Sequence, residues 1–225
     1  MDCYFVPRVH INRKVQKMKI VQVPFKDYYH EEAPKTQIYL HHTAGTGIGD
    51  NVYKWWGSDK PRVATCVIID RDGTIKQGFS SKYWAYHLGL SNAHFKNEGL
   101  SYRNLDKTSI GIEIIGWGWV TKKGGKYMTY VNSEVDPEEV ITLDKPFRGF
   151  KHWHKYTDAQ IDSVVSLLKL WNEKYGIDIS YNPDIWDVTP RALKGENGVF
   201  THCSVRKDKF DVFPQPELIE ALKSL

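Results

Sequence analysis

The chain has 225 residues, 31 of them basic and 27 acidic, for a net charge of +4; 41% are hydrophobic and 26% charged. This is the composition of a globular chain long enough to bury a sizeable core, and it excludes disordered, collagen-like and coiled-coil classes. No run of about 18 apolar residues exists, which excludes a transmembrane helix and membrane insertion, and without a basic block interleaved with aromatics the mild charge gives no reason to expect nucleic acid. The N-terminal stretch MDCYFVPRVHINRK lacks the apolar core of a secretory signal, so extracellular action is expected to rely on another route or on lysis. Three cysteines, Cys3, Cys66 and Cys203, are scattered and form no C-x-x-C pair. They predict neither a disulfide framework nor a zinc ribbon, and Cys66 reads as a small buried residue.

Residues 1–36 are mixed and basic, and the partial alternation of VHINRKVQKMKIVQV predicts one or two strands or an extended arm packed on the main domain, residues 37–225. Residues 37–41, QIYLH, are a short strand ending at His41-His42-Thr43-Ala44-Gly45, before a glycine-rich loop. Asp50 is expected to cap a short helix, NVYKWWG, whose Trp55 and Trp56 suit either core or groove. Residues 66–69 are an apolar strand, and Asp72-Gly73 turns it into a hairpin with Thr74-Ile75. Residues 109–115 form another strand, apolar except for Glu113. Residues 117–155 are aromatic and rich in turn signals (KKGGK, VDPEE, DKPFRG) and read as an inserted hairpin and surface excursion. The clearest helix follows, with Thr157 as N-cap, Ile161, Val164, Leu167, Leu168 and Trp171 on one face, and Gly176 as its stop. Residues 177–200 are loop-like, 199–202 a strand end, and PQPELIEALKSL a closing helix. The order predicts an α/β fold with a central mixed sheet flanked by helices.

Three segments can carry chemistry: YLHHTAG, the Glu113 strand, and THCSVRKDKFD with His202, Lys209 and Asp211. A glutamate among isoleucines either faces solvent on an edge strand or is buried, where its charge is costly without a compensating cation. His41 and His42 are adjacent on a strand, so they point to opposite faces and only one is expected in any single site. Two histidines and a carboxylate make a known catalytic zinc set that leaves a position for water, although the helical H-E-x-x-H spacing is absent.

In order, YLHHTAG, CVIIDRDGTIKQG, WAYHLG, NLDKTSIGIEI, YTDAQIDSVVSLLKLWNEKYGI and THCSVRKDKFD resemble the zinc N-acetylmuramoyl-L-alanine amidases of the type-2 amidase and peptidoglycan-recognition superfamily, which includes phage endolysins. The resemblance spans residues 37–214. It implies one Zn²⁺ held by His41 (His42 is the alternative), His202 and Asp211, the last within a lysine-x-aspartate pattern. Cys203 is a competing thiolate in a position where the family places no ligand. Glu113 matches the catalytic carboxylate, and Thr65 stands where other members carry a tyrosine, so that tyrosine route is closed. Lys209 is implied as the oxyanion stabiliser, and His87, His42, Trp84 and Thr65 as substrate-binding residues. Trp55, Trp56, Trp84 and Trp117 suit either core or stacking on sugars. The implied activity is cleavage of the amide between N-acetylmuramic acid and L-alanine in peptidoglycan, by a monomer acting as an endolysin from the host cytoplasm after release. A cytoplasmic amidase recycling muropeptides and a non-catalytic peptidoglycan receptor are the alternatives. The 117–155 insertion, directly after the Glu113 strand, is expected to wall the groove and shape its choice of substrate.

Overall fold

The computed structural model describes residues 18–58 and 61–225, so the strand expectation for residues 1–17 lies outside the described residues. The apolar runs become the centre of a six-stranded sheet. Its strands are β1 (Ile20–Gln22), β2 (Gln37–His42), β3 (Val67–Ile69), β4 (Ile75–Gln77), β5 (Ser109–Ile114) and β11 (Gly198–Thr201), in the order β1-β4-β3-β5-β2-β11. The runs lack alternation because both faces are covered: every residue of β2, β3, β5 and β11 is buried. β11, β2, β5 and β3 are mutually parallel, while β3 and β4 make the antiparallel hairpin expected from Asp72-Gly73. β5 is an interior strand, so Glu113 is not on an edge; edge status depends on strand order, which one strand's sequence does not encode. Part of the N-terminal arm is itself a strand, with β1 extending the sheet beside β4.

Short helices lie between the strands, α1 (Gly49–Trp56), α2 (Asn92–Asn97), α3 (Leu105–Thr108) and α5 (Pro190–Leu193), and α6 (Pro216–Lys223) follows the last of them. α1 begins two residues earlier than expected. Asp50 lies in its first turn, paired with Lys76 at 2.6 Å, and the Gly49 N–H is instead taken by the Asp70 carboxylate at 2.7 Å. The long helix α4 (Asp158–Tyr175) matches its sequence signature at both ends. Thr157 and Gln160 form a reciprocal capping box, and Gly176 closes the helix in the left-handed region at φ 67°. Gln160 also reaches the sheet, where its amide donates to the Ile69 and Ile115 carbonyls at 3.2 and 2.9 Å. Thr157→Ala is expected to cost about 1 kcal/mol of unfolding free energy, measurable by chemical denaturation, through loss of the cap.

Residues 117–155 are more than a hairpin. They build a second, five-stranded antiparallel sheet from β6 (Trp119–Lys123), β7 (Lys126–Met128), β8 (Glu134–Val135), β9 (Val140–Phe147) and β10 (Phe150–His154), ordered β8-β7-β6-β10-β9. Its strands are largely exposed, with few buried positions, so charged residues interrupt the pattern. Trp153, fully buried, stacks on Phe213 at 4.7 Å, and Trp119 stacks on Phe150 at 4.2 Å. The sheet is thereby anchored to the segment that carries Asp211.

Candidate metal centre and groove

Parallel strands in register bring their carboxyl ends to one edge, where a crevice forms. His41 is the register partner of Glu113, and Leu40 is the partner of Thr201, the residue before His202. Three segments far apart in the chain thus deliver an imidazole, a carboxylate and a second imidazole side by side. Asp211 arrives from the loop after His202.

The convergence is close. His41 Nδ1 lies 3.1 Å from His202 Nδ1 and 3.2 Å from Asp211 Oδ2, and His202 Nδ1 lies 2.9 Å from the same carboxylate oxygen. Among the described residues, this is the group whose donor atoms fit one metal ion, all within 4.8 Å of one another. A tetrahedral zinc with bonds of about 2.0–2.1 Å sets its donors about 3.3 Å apart, so the observed spacing needs only a small expansion. The hydrogen bonding agrees. His202 Nε2 faces the Leu88 carbonyl at 3.0 Å and so donates, which leaves Nδ1 bare beside a carboxylate in the neutral ring. Two acceptors at that distance need a proton or a metal ion between them. Burial and the neighbouring His202 push His41 down to about 4, which favours neutral imidazole, the ligand form. Burial alone would raise Asp211, but its interactions with His202 and His41 outweigh this and hold the carboxyl well below its ordinary value. The donor set therefore fits zinc.

Cys203 does not compete. Its thiol donates to the Lys209 and Asp211 carbonyls at 3.3 and 3.5 Å, and burial pushes it up to about 12. It pins the loop that presents Lys209 and Asp211.

The three donors line a cavity of about 720 Å³ together with Glu113, Lys209, His42, His87 and Thr65. Glu113 is 7% exposed, and among the described residues no hydrogen-bond partner meets its carboxylate. Burial first, then the charge of Asp211, raises its pKa well above the ordinary 4.5, against a lowering by Lys209. His42 shares the cavity despite its opposite place in the strand alternation, because the groove wraps around the end of β2. Its Nδ1 meets the Tyr156 hydroxyl at 2.9 Å. Gly118 allows this approach: a Cβ there would stand 2.7 Å from His42 Nε2, and its φ of +76° suits glycine. The Thr65 hydroxyl donates to the Val67 carbonyl at 2.9 Å, and its methyl packs against Gly111, where a Cβ would stand 2.6 Å from it. His87 has both ring nitrogens engaged, Nδ1 with His41 Nε2 at 3.0 Å and Nε2 with Ser109 Oγ at 2.9 Å.

Trp84 is a correction to the expected substrate-binding set. It is buried outside the groove, stacked 3.9 Å from Tyr29, with its indole N–H donating to Glu31 at 3.2 Å. The N-terminal arm covers it, and the path of that arm is not legible in the WAYHLG segment. Trp55, Trp56 and Trp117 do line the groove, joined by Trp119 and Tyr130, which sequence reasoning missed. Tyr130 belongs to the second sheet's β7–β8 connection and donates to the Ala44 carbonyl at 3.1 Å. The only sequence signal for it was an aromatic among turn residues. A larger depression of about 1080 Å³ beside residues 24–29 holds none of the three donors.

The family described as N-acetylmuramoyl-L-alanine amidase (Amidase_2) matches residues 31–212. No curated protein sequence matches the chain. Among solved structures, PlyL is similar at 14% identity, covering 92% of this chain and 98% of its own, with a TM-score of 0.50. A mutant endolysin from Bacillus subtilis is similar at 13% identity, with 92% and 97% coverage and a TM-score of 0.50. The N-acetylmuramoyl-L-alanine amidase LysC from Clostridium intestinale is similar at 16% identity, with 92% and 95% coverage and a TM-score of 0.49. At these identities the first two likenesses speak to the fold, the mixed α/β sheet flanked by helices. With more than half its length within the family match, the chain belongs to the N-acetylmuramoyl-L-alanine amidase family and is an amidase acting on peptidoglycan.

Proposed function

We propose that the chain is a zinc-dependent amidase that hydrolyses the bond between the lactyl group of N-acetylmuramic acid and L-alanine, and that it serves as a wall-lysing enzyme of endolysin type. The observation that carries this reading is the meeting of His41 Nδ1, His202 Nδ1 and Asp211 Oδ2 within 3.2 Å in one groove beside an unpartnered Glu113. Held by those three side chains, zinc would polarise the scissile carbonyl and lower the pKa of the attacking water.

The protein's own groups then manage protons and charge. Glu113, as carboxylate, accepts the proton released by the water as the C–O bond forms. Its raised pKa makes the carboxylate a better base for the water's proton and keeps the resulting acid protonated until the more basic leaving amine takes the proton. When the C–N bond breaks, that proton goes to the amine of L-alanine, and the lactyl group leaves as a carboxylate. Lys209, on the groove wall, places its ammonium to balance the oxyanion. His42, fixed by Tyr156, and Thr65 line the wall near the reacting bond. His87 touches His41 rather than offering a free ring nitrogen, so its contribution to substrate is through the ring face.

Trp55 and Tyr130, 66% and 53% exposed at the groove, offer stacking faces for sugars. Such faces extend contact along a glycan strand, which favours wall polymer over small recycled muropeptides. Among the described residues no helix is long and apolar enough to cross a membrane. In the proposed role the enzyme acts from within the producing cell, reaching the wall at lysis. The test is mass analysis of purified sacculi and of soluble muropeptides, each digested with zinc-loaded and chelator-treated protein. Stem peptides beginning with free L-alanine, released faster from sacculi and only with zinc, are expected. Cleavage confined to soluble fragments would assign the recycling role, and products cut elsewhere in the stem would overturn the bond assignment.

A further inference from the structure

We propose that Asp106 is the positioning residue for both imidazole ligands, acting through the backbone of His87 and Leu88; this rests on the zinc reading above. Asp106 is 5% exposed, on α3, and one oxygen of its carboxylate accepts two consecutive N–H groups, from His87 at 2.7 Å and from Leu88 at 2.8 Å. Those same two residues hold the outer nitrogens of the ligand rings. His87 Nδ1 meets His41 Nε2, and the Leu88 carbonyl accepts from His202 Nε2, each at 3.0 Å. A single carboxylate therefore sets the position of both outer partners, although His41 lies on β2 and His202 in the turn after β11.

The clamp is reinforced from the same direction. α3 runs directly into β5, whose first residue, Ser109, meets the far nitrogen of His87 at 2.9 Å. His87 is thus held at its backbone by Asp106 and at its ring by Ser109. Beyond Leu88 the chain turns at Gly89, with φ +60°, where a Cβ would stand 2.5 Å from Arg206 Nη1. Arg206 donates to the Gly89 carbonyl at 3.3 Å, tying the turn to the segment that carries His202. Outer partners of metal-bound imidazoles fix the tautomer and ring orientation, and losing one weakens metal binding by about 10–100-fold. Asp106 touches neither ligand, yet its loss frees two such partners together.

The test is zinc affinity of the full chain, measured by competition with a chromophoric chelator, for wild type, Asp106→Ala, Asp106→Asn and Leu218→Ala. Leu218 is fully buried in α6 and serves as a control for general destabilisation. Asp106→Ala is expected to weaken zinc binding by about 10–100-fold. Asp106→Asn, whose amide oxygen can still accept both N–H groups, is expected to recover most of that loss. Leu218→Ala is expected to lower the melting temperature with little change in zinc affinity. Should Asp106→Ala fail to fold, Asp106→Glu carries the same test, because it keeps the charge but displaces the acceptor by one methylene. Wild-type zinc affinity in Asp106→Ala or Asp106→Glu, equal weakening in Leu218→Ala, or no rescue by asparagine would overturn the positioning role. Absence of zinc binding by the wild type would overturn the zinc reading itself, and the inference with it.

Discussion

Glu113→Gln is expected to lower kcat by about 10²–10⁴-fold while zinc binding is retained, the range set by loss of a general acid–base group. The substitution keeps shape and burial but removes the ability to take the water's proton and return it to the leaving amine. Glu113 pairs in register with His41 on an interior strand, so its position is fixed by the sheet rather than by a loop. Wild-type kcat/KM should fall on the acid side as Glu113 becomes protonated, at a pH above the ordinary 4.5 because burial raises the group. The residual activity of the variant should lack that limb. Stability gives an independent sign. In the metal-free protein, folding raises the pKa of Glu113, so its contribution is fully present below the unfolded value of 4.5 and is lost as pH rises toward the folded one. Over that window wild type should lose about 1.4 kcal/mol per pH unit relative to Glu113→Gln. Denaturant titrations of both proteins at a series of pH values upward from 4.5 read the difference. Parallel curves, or a variant of near-wild-type rate, would remove Glu113 from its assigned place.

Asp211→Ala should abolish both zinc binding and turnover. It removes one of the three donors and the carboxylate that meets both imidazoles. Because zinc binds the folded ligand set, wild type with zinc at about 1,000 times its Kd should gain about 4 kcal/mol of stability, and a chelator should remove it. Asp211→Ala should show no zinc-dependent shift in melting temperature. The comparison is between the zinc-dependent shifts, since the substitution also removes a hydrogen-bonded carboxylate from the metal-free fold. A full zinc-dependent shift in the variant would show that the ion sits elsewhere.

Much of the central sheet was legible because its strands are buried on both faces. QIYLHH and SIGIEI have no solvent side to interrupt them, and Asp72-Gly73 leaves one reading for the turn between β3 and β4. α4 was legible for the complementary reason: one apolar face with a capping threonine and a closing glycine. The second sheet was not, because β6, β7 and β9 are half exposed and VITLDKPF places charges and a proline within a strand. In the groove, side chains in recognisable motifs, such as His41, Glu113, His202 and Asp211, could be named in advance. What orients them could not. The Leu88 carbonyl has no residue signature, and Asp106 acts on backbone N–H groups that any sequence would supply. Trp84 was misplaced because its burial depends on Tyr29 and Glu31, more than fifty residues away in the arm.

Crystals of the full chain grown with zinc, with diffraction recorded on both sides of the zinc absorption edge, test the central claim most directly. One anomalous peak bonded to Nδ1 of His41, Nδ1 of His202 and an oxygen of Asp211 is the expected result. A peak outside that triad, or none from zinc-saturated protein that still cleaves its substrate, would contradict it.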